Sequence, residues 1–586
     1  MSATVSGSAG TGPGERRLNG PQTTGREYRN LSAPELDRTV DLDVTATMRD
    51  GVSLLVDVHR PATDGQFPVL VSASPYPRQI QDVGAPMGFI EAGATDFFVP
   101  RGYVHVIANV RGTGGSGGEF GFFDAQERRD MHDLVEWAAA QPWSDGNVGM
   151  VGISYFEMTQ LEAAVARPER LRAIFPVAVT TDLYEAANHH GLFSSGFVSP
   201  FLTMVGITAR HGNRVWRGPV LAAMRHVLRT HWLHEKFATM DGEAAITIMR
   251  AATKLPYDAH PWDDLWDDVA VDHPLRDAWW DERDLTPLLD RVDVPVYLGC
   301  DWDNVPLHLP STFPALDGLT SSPEVRVAML GHHGLAWPWE SLHVEALAWF
   351  DHWLKGRDTG ILDGPRIRYV VPGADQWEAT EAWPPPGTEL QQLALRSDGD
   401  LGALEPVEGT RAFVELGAGL NRRPAKPTDP PASLSWDTDV FDAPLDVLGN
   451  SELVLHAAAT AADTAWIVTV QDIAEDGTVD DVTAGWLRAG LRAVDEERSE
   501  QGRPVLDCRS FLAVPFGEVV EYRIPLVVTA HRIPAGHRLR LVLTSDDQRD
   551  DAPAIMGFRH ATVGTTSRNT VHSSSHLLLS VREVRS

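Results

Sequence analysis

The chain has 586 residues, is 43% apolar and carries a formal net charge of -31. That length exceeds a single core and implies two or three domains, while the charge disfavours a phosphate backbone as partner, so no nucleic acid is expected. No apolar run approaches the ~20 residues of a membrane helix, and the two cysteines, Cys300 and Cys508, are too few for a disulfide framework or a cysteine-rich metal site.

The first segment, residues 1–30, opens with "MSATVSGSAGTGPGERRLNG". It has no apolar h-region, reads as a flexible tail rather than a secretory signal, and fits a cytoplasmic protein. From about residue 40, "VDLDVTATMRDGVSLLVDVHRP" gives two alternating stretches joined by Asp50-Gly51, the pattern of a β-hairpin. Short β-rich runs follow at "FPVLVSA", "YVHVIANV", "NVGMVG" and "LRAIFPVAV". Between two of them, "DAQERRDMHDLVEWAAAQ" has helical periodicity, with Met131, Leu134, Val135 and Ala138 on one face. Alternation of strand and helix predicts an α/β class with a mostly parallel sheet, its first part covering residues 31–184.

Over 185–290 the strand signal fades into a tryptophan- and histidine-rich helical insertion, for example "VLAAMRHVLRTHWLHEKFATM". Strands return in 291–362 at "VDVPVYLG" and "VRVAML", followed by the helix "SLHVEALAWFDHWLKG". Residues 363–586 then carry β-rich runs separated by Gly, Pro and Asp with no helix between, the pattern of an all-β sandwich. "RPAKPTDPPAS" reads as a Pro-rich loop and "WPPPG" as a rigid connector.

The chemistry starts at "GISYF", where Ser154 stands between a strand and a helix. A serine on such a turn projects its hydroxyl above the sheet edge, and the helix behind it points N–H groups at developing negative charge. Phe156 stands where the general pattern has a second glycine, and a serine N-cap would give the same local pattern. Order supplies support. "VDVPVYLGCDWDN" ends a later strand with Asp301 and Asp303, and "VRVAMLGHHG" ends the next with His332 and His333. Nucleophile, acid and base in this order, each after a strand, match the α/β-hydrolase arrangement. The histidine pair has no H-x-x-x-H companion, so no metal is expected. The backbone N–H of Tyr155 is one expected oxyanion donor, and Tyr76, in the loop "VLVSASPYPRQ", could offer its phenol as the second. "VRGTGGSGGEF" lacks a phosphate-binding ending and reads as a tight loop.

The ordered set "NVRGTGGSGGEF", "PWSDGNVGMVGISYFEMTQ", "TDLYEA", "HPLRDAWW", "WFDHWLKGRDTGI", "VPGADQWEAT" and "PAGHRLRLVLTSDD" resembles the cocaine esterase/NonD hydrolases, relatives of the X-Pro dipeptidyl-peptidases and α-amino acid ester hydrolases. The resemblance runs from about residue 35 to the end. It implies an α/β-hydrolase core with an inserted helical cap and a C-terminal all-β jelly roll. It also implies Ser154 as nucleophile, Asp303 as acid, His333 as base and Tyr76 as oxyanion donor. The local sequences depart from the family's "GPW-x-H" and "GWYDG" loops, leaving His332 and Asp301 as alternatives.

Glu157 stands where the family usually has glycine. A glutamate in a first helical turn gains ~0.3–1 kcal/mol from the helix dipole. The resemblance to α-amino acid ester hydrolases implies a second reading, in which Glu157 and Asp277 hold a substrate ammonium group; against it, Arg276 stands where that cluster would want another acid and could neutralise Glu157. The expected activity is Ser-His-Asp hydrolysis of a small-molecule ester or short peptide-like substrate, with no cofactor. The alternatives are an α-amino acid ester hydrolase or X-Pro dipeptidyl aminopeptidase, and a catalytically silent binding protein. Oligomeric state is left open, a homo-oligomer included.

Overall fold

The computed structural model describes residues 26–83, 90–210, 218–228, 230, 232, 262–331, 342–402, 408–417 and 429–584. Most of the expected N-terminal tail, much of the segment after Leu228 and most of the Pro-rich loop lie outside the described residues.

The N-terminal half is built on one ten-stranded sheet. The hairpin read at Asp50-Gly51 is β1 (Arg38–Thr47) and β2 (Ser53–Pro61), paired antiparallel. It continues through β3 (Phe67–Ser74), β4 (Val104–Asn109), β5 (Ser144–Ile153), β6 (Leu171–Val177), β7 (Val296–Asp301), β8 (Val325–Leu330), β9 (Ile367–Val371) and β10 (Gln376–Thr380). The spatial order is β1-β2-β4-β3-β5-β6-β7-β8-β9-β10. From β4 to β9 every pairing is parallel.

These strands read as continuous apolar runs because both faces are covered. Successive side chains alternate between two cores. Val148 and Met150 of β5 belong to one core and Val151 and Ile153 to the other. The helices α1 (Ala125–Ala139) and α2 (Tyr155–Ala166) cover the first face. The helical periodicity is met: Met131, Leu134, Val135 and Ala138 of α1 are fully buried. Asp124 caps α1, accepting from the Glu127 N–H at 2.8 Å.

The next helices are α3 (Leu183–Asn188), α4 (Ser195–Arg210), α5 (Gly218–Leu228) and α6 (Ala278–Arg283), between β6 and β7. They supply the cap. After β7 comes α7 (Leu309–Gly318), and after β8 comes α8 (His343–Trp353). Ala346, Leu347, Trp349 and Phe350 of α8 join the second core, on the face opposite α1 and α2.

The C-terminal half is an all-β jelly-roll domain of antiparallel sheets. Its long strand Leu445–Ala459 pairs with Val520–Ile533 on one side and His576–Glu583 on the other. A second, four-stranded sheet holds Ser433–Asp437, Arg538–Thr544, Ala465–Ile473 and Val479–Arg488. Among the described residues no helix is long and apolar enough to cross a membrane.

Candidate active site

Register fixes the edge on which the candidate residues stand. Ile153 of β5 lies level with Val177 of β6, and Val177 with Gly299 of β7. Asp301 of β7 lies level with Leu330 of β8. Ser154 follows β5, Asp303 follows β7, and Tyr76 follows β3, so all three leave the carboxyl edge of the parallel sheet. Such edges are where open α/β sheets bind ligands. His332 and His333 follow β8 in sequence, but both lie outside the described residues.

Ser154 sits at φ 57°, ψ -118°, a backbone region that non-glycine residues rarely adopt. Two hydrogen bonds hold the turn: Ile153 N–H donates to the Glu91 carbonyl at 3.1 Å, and Ser154 N–H to the Val177 carbonyl at 3.0 Å. Its side chain makes no capping bond to α2, so the ordinary N-cap explanation of this serine does not describe it. The side chain instead lines one cavity with Tyr76, and its hydroxyl acts on the Tyr76 phenol against the effect of burial.

The turn also explains the residue spacing. At Gly152, φ is +146°, and an added Cβ would lie 2.3 Å from the Phe156 Cβ. Phe156 is tolerated in place of a second glycine because its ring is fully buried, 5.9 Å from the Tyr76 ring. Gly152→Ala is expected to lower stability by about 3 kcal/mol through overpacking and backbone strain. A denaturant titration would read this as a lower midpoint; an unchanged midpoint would contradict the close approach.

Tyr76 is held from several sides. Its N–H donates to Ser74 Oγ at 3.0 Å, and its carbonyl accepts from Asn109 Nδ2 at 2.7 Å. Buried Arg78, two residues on, donates to Asp57 at 3.0 Å, to Asn109 Oδ1 at 2.8 Å and to the Gly114 carbonyl at 3.0 Å. The glycine-rich segment after β4 is thus a tight loop latched to the Tyr76 loop. Burial raises the Tyr76 phenol well above its ordinary range, so it remains a neutral O–H donor. Tyr155 is the first residue of α2, so its N–H has no acceptor within the helix. Its own hydroxyl points away and donates to Glu127 Oε1 at 2.8 Å. Burial pushes the Glu127 carboxyl up to about 8.

Asp303 lies in the turn after β7. Asp301, the alternative acid, is the last residue of that strand; it is buried and accepts from Asn304 Nδ2 at 2.5 Å. The same loop is tied to the β domain. The Pro306 carbonyl meets His189 Nε2, His189 Nδ1 lies 2.6 Å from His560 Nε2, and His560 Nδ1 lies 2.7 Å from Asp547 Oδ2.

Ser154 and Tyr76 open on a cavity with about 570 Å³ of empty space, its open mouth included. Its walls include Phe123, Met158, Phe197, Phe201, Leu202 and Trp280. Trp280 of the cap reaches this wall; Trp279 stacks instead on His273, with ring centroids 5.0 Å apart. No charged side chain lines the cavity among the described residues. The sequence reading missed Thr180 and His308, both of which line it.

Glu157 is fully buried, but it is absent from the cavity wall. Its Oε1 accepts from the Thr180 N–H at 2.6 Å. Desolvation raises its carboxyl well above the ordinary range. Asp277 is elsewhere engaged: it caps α6 and lies 2.6 Å from His273 Nδ1. Arg276 pairs with Asp182, and with Asp284 at 3.1 Å. No contact joins Glu157 to either residue, so the structure does not assemble them into one acidic cluster. Among the described residues, no group of three or more histidine, cysteine or carboxylate side chains is placed to hold a metal ion.

Comparison with known proteins agrees with this fold. Residues 50–337 match the family model described as X-Pro dipeptidyl-peptidase (S15 family). Residues 359–572 match the X-Pro dipeptidyl-peptidase C-terminal non-catalytic domain. The chain is 26% identical over 600 residues to cocaine esterase from Rhodococcus sp. (strain MB1 Bresler), covering 93% of this chain and 98% of that protein. In fold it is similar to a CocE/NonD family hydrolase from Staphylococcus aureus, with a TM-score of 0.71, 21% identity, and coverage of 92% of this chain and 93% of the other. An α-amino acid ester hydrolase shares the fold at a TM-score of 0.67 and 18% identity, covering 95% of this chain and 99% of the other. The chain therefore belongs to the cocaine esterase/NonD family of serine hydrolases, within the X-Pro dipeptidyl-peptidase (S15) group, and is a hydrolase.

Proposed function

We propose that the protein hydrolyses uncharged carboxylic esters through an acyl-enzyme on Ser154. His333 takes the Ser154 proton as Oγ attacks the carbonyl carbon, and Asp303 orients the imidazole. Tyr76 and the Tyr155 N–H donate to the oxyanion. The alcohol leaves with the proton from His333. Water, deprotonated by the same histidine, then attacks the acyl carbon and releases the acid. In this scheme the first core segment supplies nucleophile and oxyanion donors, the second supplies acid and base, and the cap walls the acyl pocket. The observation that carries the reading is the strained turn at Ser154, whose side chain lines the cavity beside Tyr76 and does not cap its helix.

The uncharged wall favours an ester over a free-amine substrate. An ammonium group brought into the cavity would lose its hydration with no described carboxylate to replace it. Paired initial rates on phenylglycine methyl ester and phenylacetic acid methyl ester test this. The des-amino ester is expected to react at least as fast. A strong preference for the amine, lost in Glu157→Gln, would favour an aminopeptidase-like enzyme instead.

A further inference from the structure

The cavity beside Ser154 contains an imidazole to which the acyl-transfer scheme assigns no step. His308 directly precedes α7 and lines the same cavity as Ser154. Its Nδ1 lies 2.7 Å from Thr180 Oγ1. Among the described residues its Nε2 has no hydrogen-bond partner, and the ring lines the cavity. Burial holds the imidazole down at about 3, so the ring is neutral at physiological pH.

Behind His308 stands Thr180, and behind Thr180 stands Glu157. The Thr180 N–H donates to Glu157 Oε1 at 2.6 Å, while Glu157 Oε2 is buried without a hydrogen-bond partner. Glu157 lies in the first turn of α2, the helix that starts beside Ser154. One chain of contacts therefore runs from the nucleophile helix through Thr180 to the His308 ring on the cavity wall. This gives the buried glutamate a task unrelated to an ammonium ion: it anchors a polar point on an apolar wall.

We propose that His308 determines specificity, its Nε2 hydrogen-bonding a hydroxyl on the aromatic acyl group of the substrate, with Glu157 and Thr180 as positioning residues. A hydroxyl both donates and accepts, so it suits either tautomer of a neutral ring. An aromatic acyl group matches the surrounding Phe123, Phe197, Phe201 and Trp280. The inference rests on the serine-ester reading and narrows its substrate class.

The test compares kcat/KM for methyl phenylacetate with that for methyl mandelate and for methyl 3- and 4-hydroxyphenylacetate. The readout is the ratio of the best hydroxylated ester to the parent within each enzyme. In the wild type a ratio of about ten or more is expected. His308→Leu should bring it close to one, His308→Gln should restore part of it, and Thr180→Val should leave it intermediate. A structural defect slows all the esters alike and does not move this ratio. A wild-type ratio near one, or an unchanged ratio in His308→Leu, would overturn the inference. Fluorophosphonate labelling of the wild type separates the two levels. A wild type that neither labels nor turns over any ester defeats the serine-ester reading, and this inference falls with it.

Discussion

Ser154→Ala is expected to reduce kcat for a simple aryl ester by ~10⁴–10⁶-fold. Alanine keeps the Cβ, so it meets the same backbone constraint at φ 57° that serine does. The anchoring bonds, from Ile153 N–H to the Glu91 carbonyl and from Ser154 N–H to the Val177 carbonyl, are also untouched, because both are main-chain bonds. What is lost is the oxygen that forms the acyl bond in the proposed scheme. Thermal unfolding of the variant should match the wild type closely, which ties the lost rate to chemistry rather than to fold. A variant retaining a tenth of the wild-type rate would show that Ser154 is not the nucleophile.

Tyr76→Phe should lower kcat by ~10²–10³-fold with little change in KM. The ring itself packs edge-on against Tyr155 at 6.0 Å and Phe156 at 5.9 Å, and phenylalanine keeps both contacts. The loop is likewise fixed through main-chain atoms, by Ser74 and Asn109. Only the phenol disappears, and its expected work is done in the transition state, when the carbonyl oxygen becomes an oxyanion. Because burial keeps the phenol neutral, the loss should be nearly constant from pH 6 to pH 9. Steady-state kinetics of the variant would measure it. A fall of less than threefold, or one expressed mainly in KM, would leave the Tyr155 N–H as the principal donor.

Much of the core was legible because its signals are local. Short apolar runs separated by an amphipathic helix imply a covered parallel sheet, and Asp50-Gly51 marks its hairpin. The turn at Ser154 was legible for the same reason, since glycine, serine and helix follow within a few residues. Glu157 shows where such reading stops. The resemblance to α-amino acid ester hydrolases suggested a charge facing substrate, but the sequence does not say that the side chain is fully buried against the Thr180 N–H. Asp277 likewise read as a second acid, and instead caps α6. His308 carried no signal of its own; Leu307 and Leu309 beside it look like ordinary core. Its placement on the cavity wall depends on the crossing of a loop after β7 with the segment after β6, which no local pattern encodes. The histidine pair after β8 was assigned from strand order and resemblance alone.

The central claim, that Ser154 is an activated nucleophile beside a preformed oxyanion site, is tested most directly by treating the protein with a fluorophosphonate and measuring its intact mass, followed by peptide mapping. The account predicts a single adduct on Ser154, absent from Ser154→Ala. No adduct, or an adduct on another residue, would contradict it.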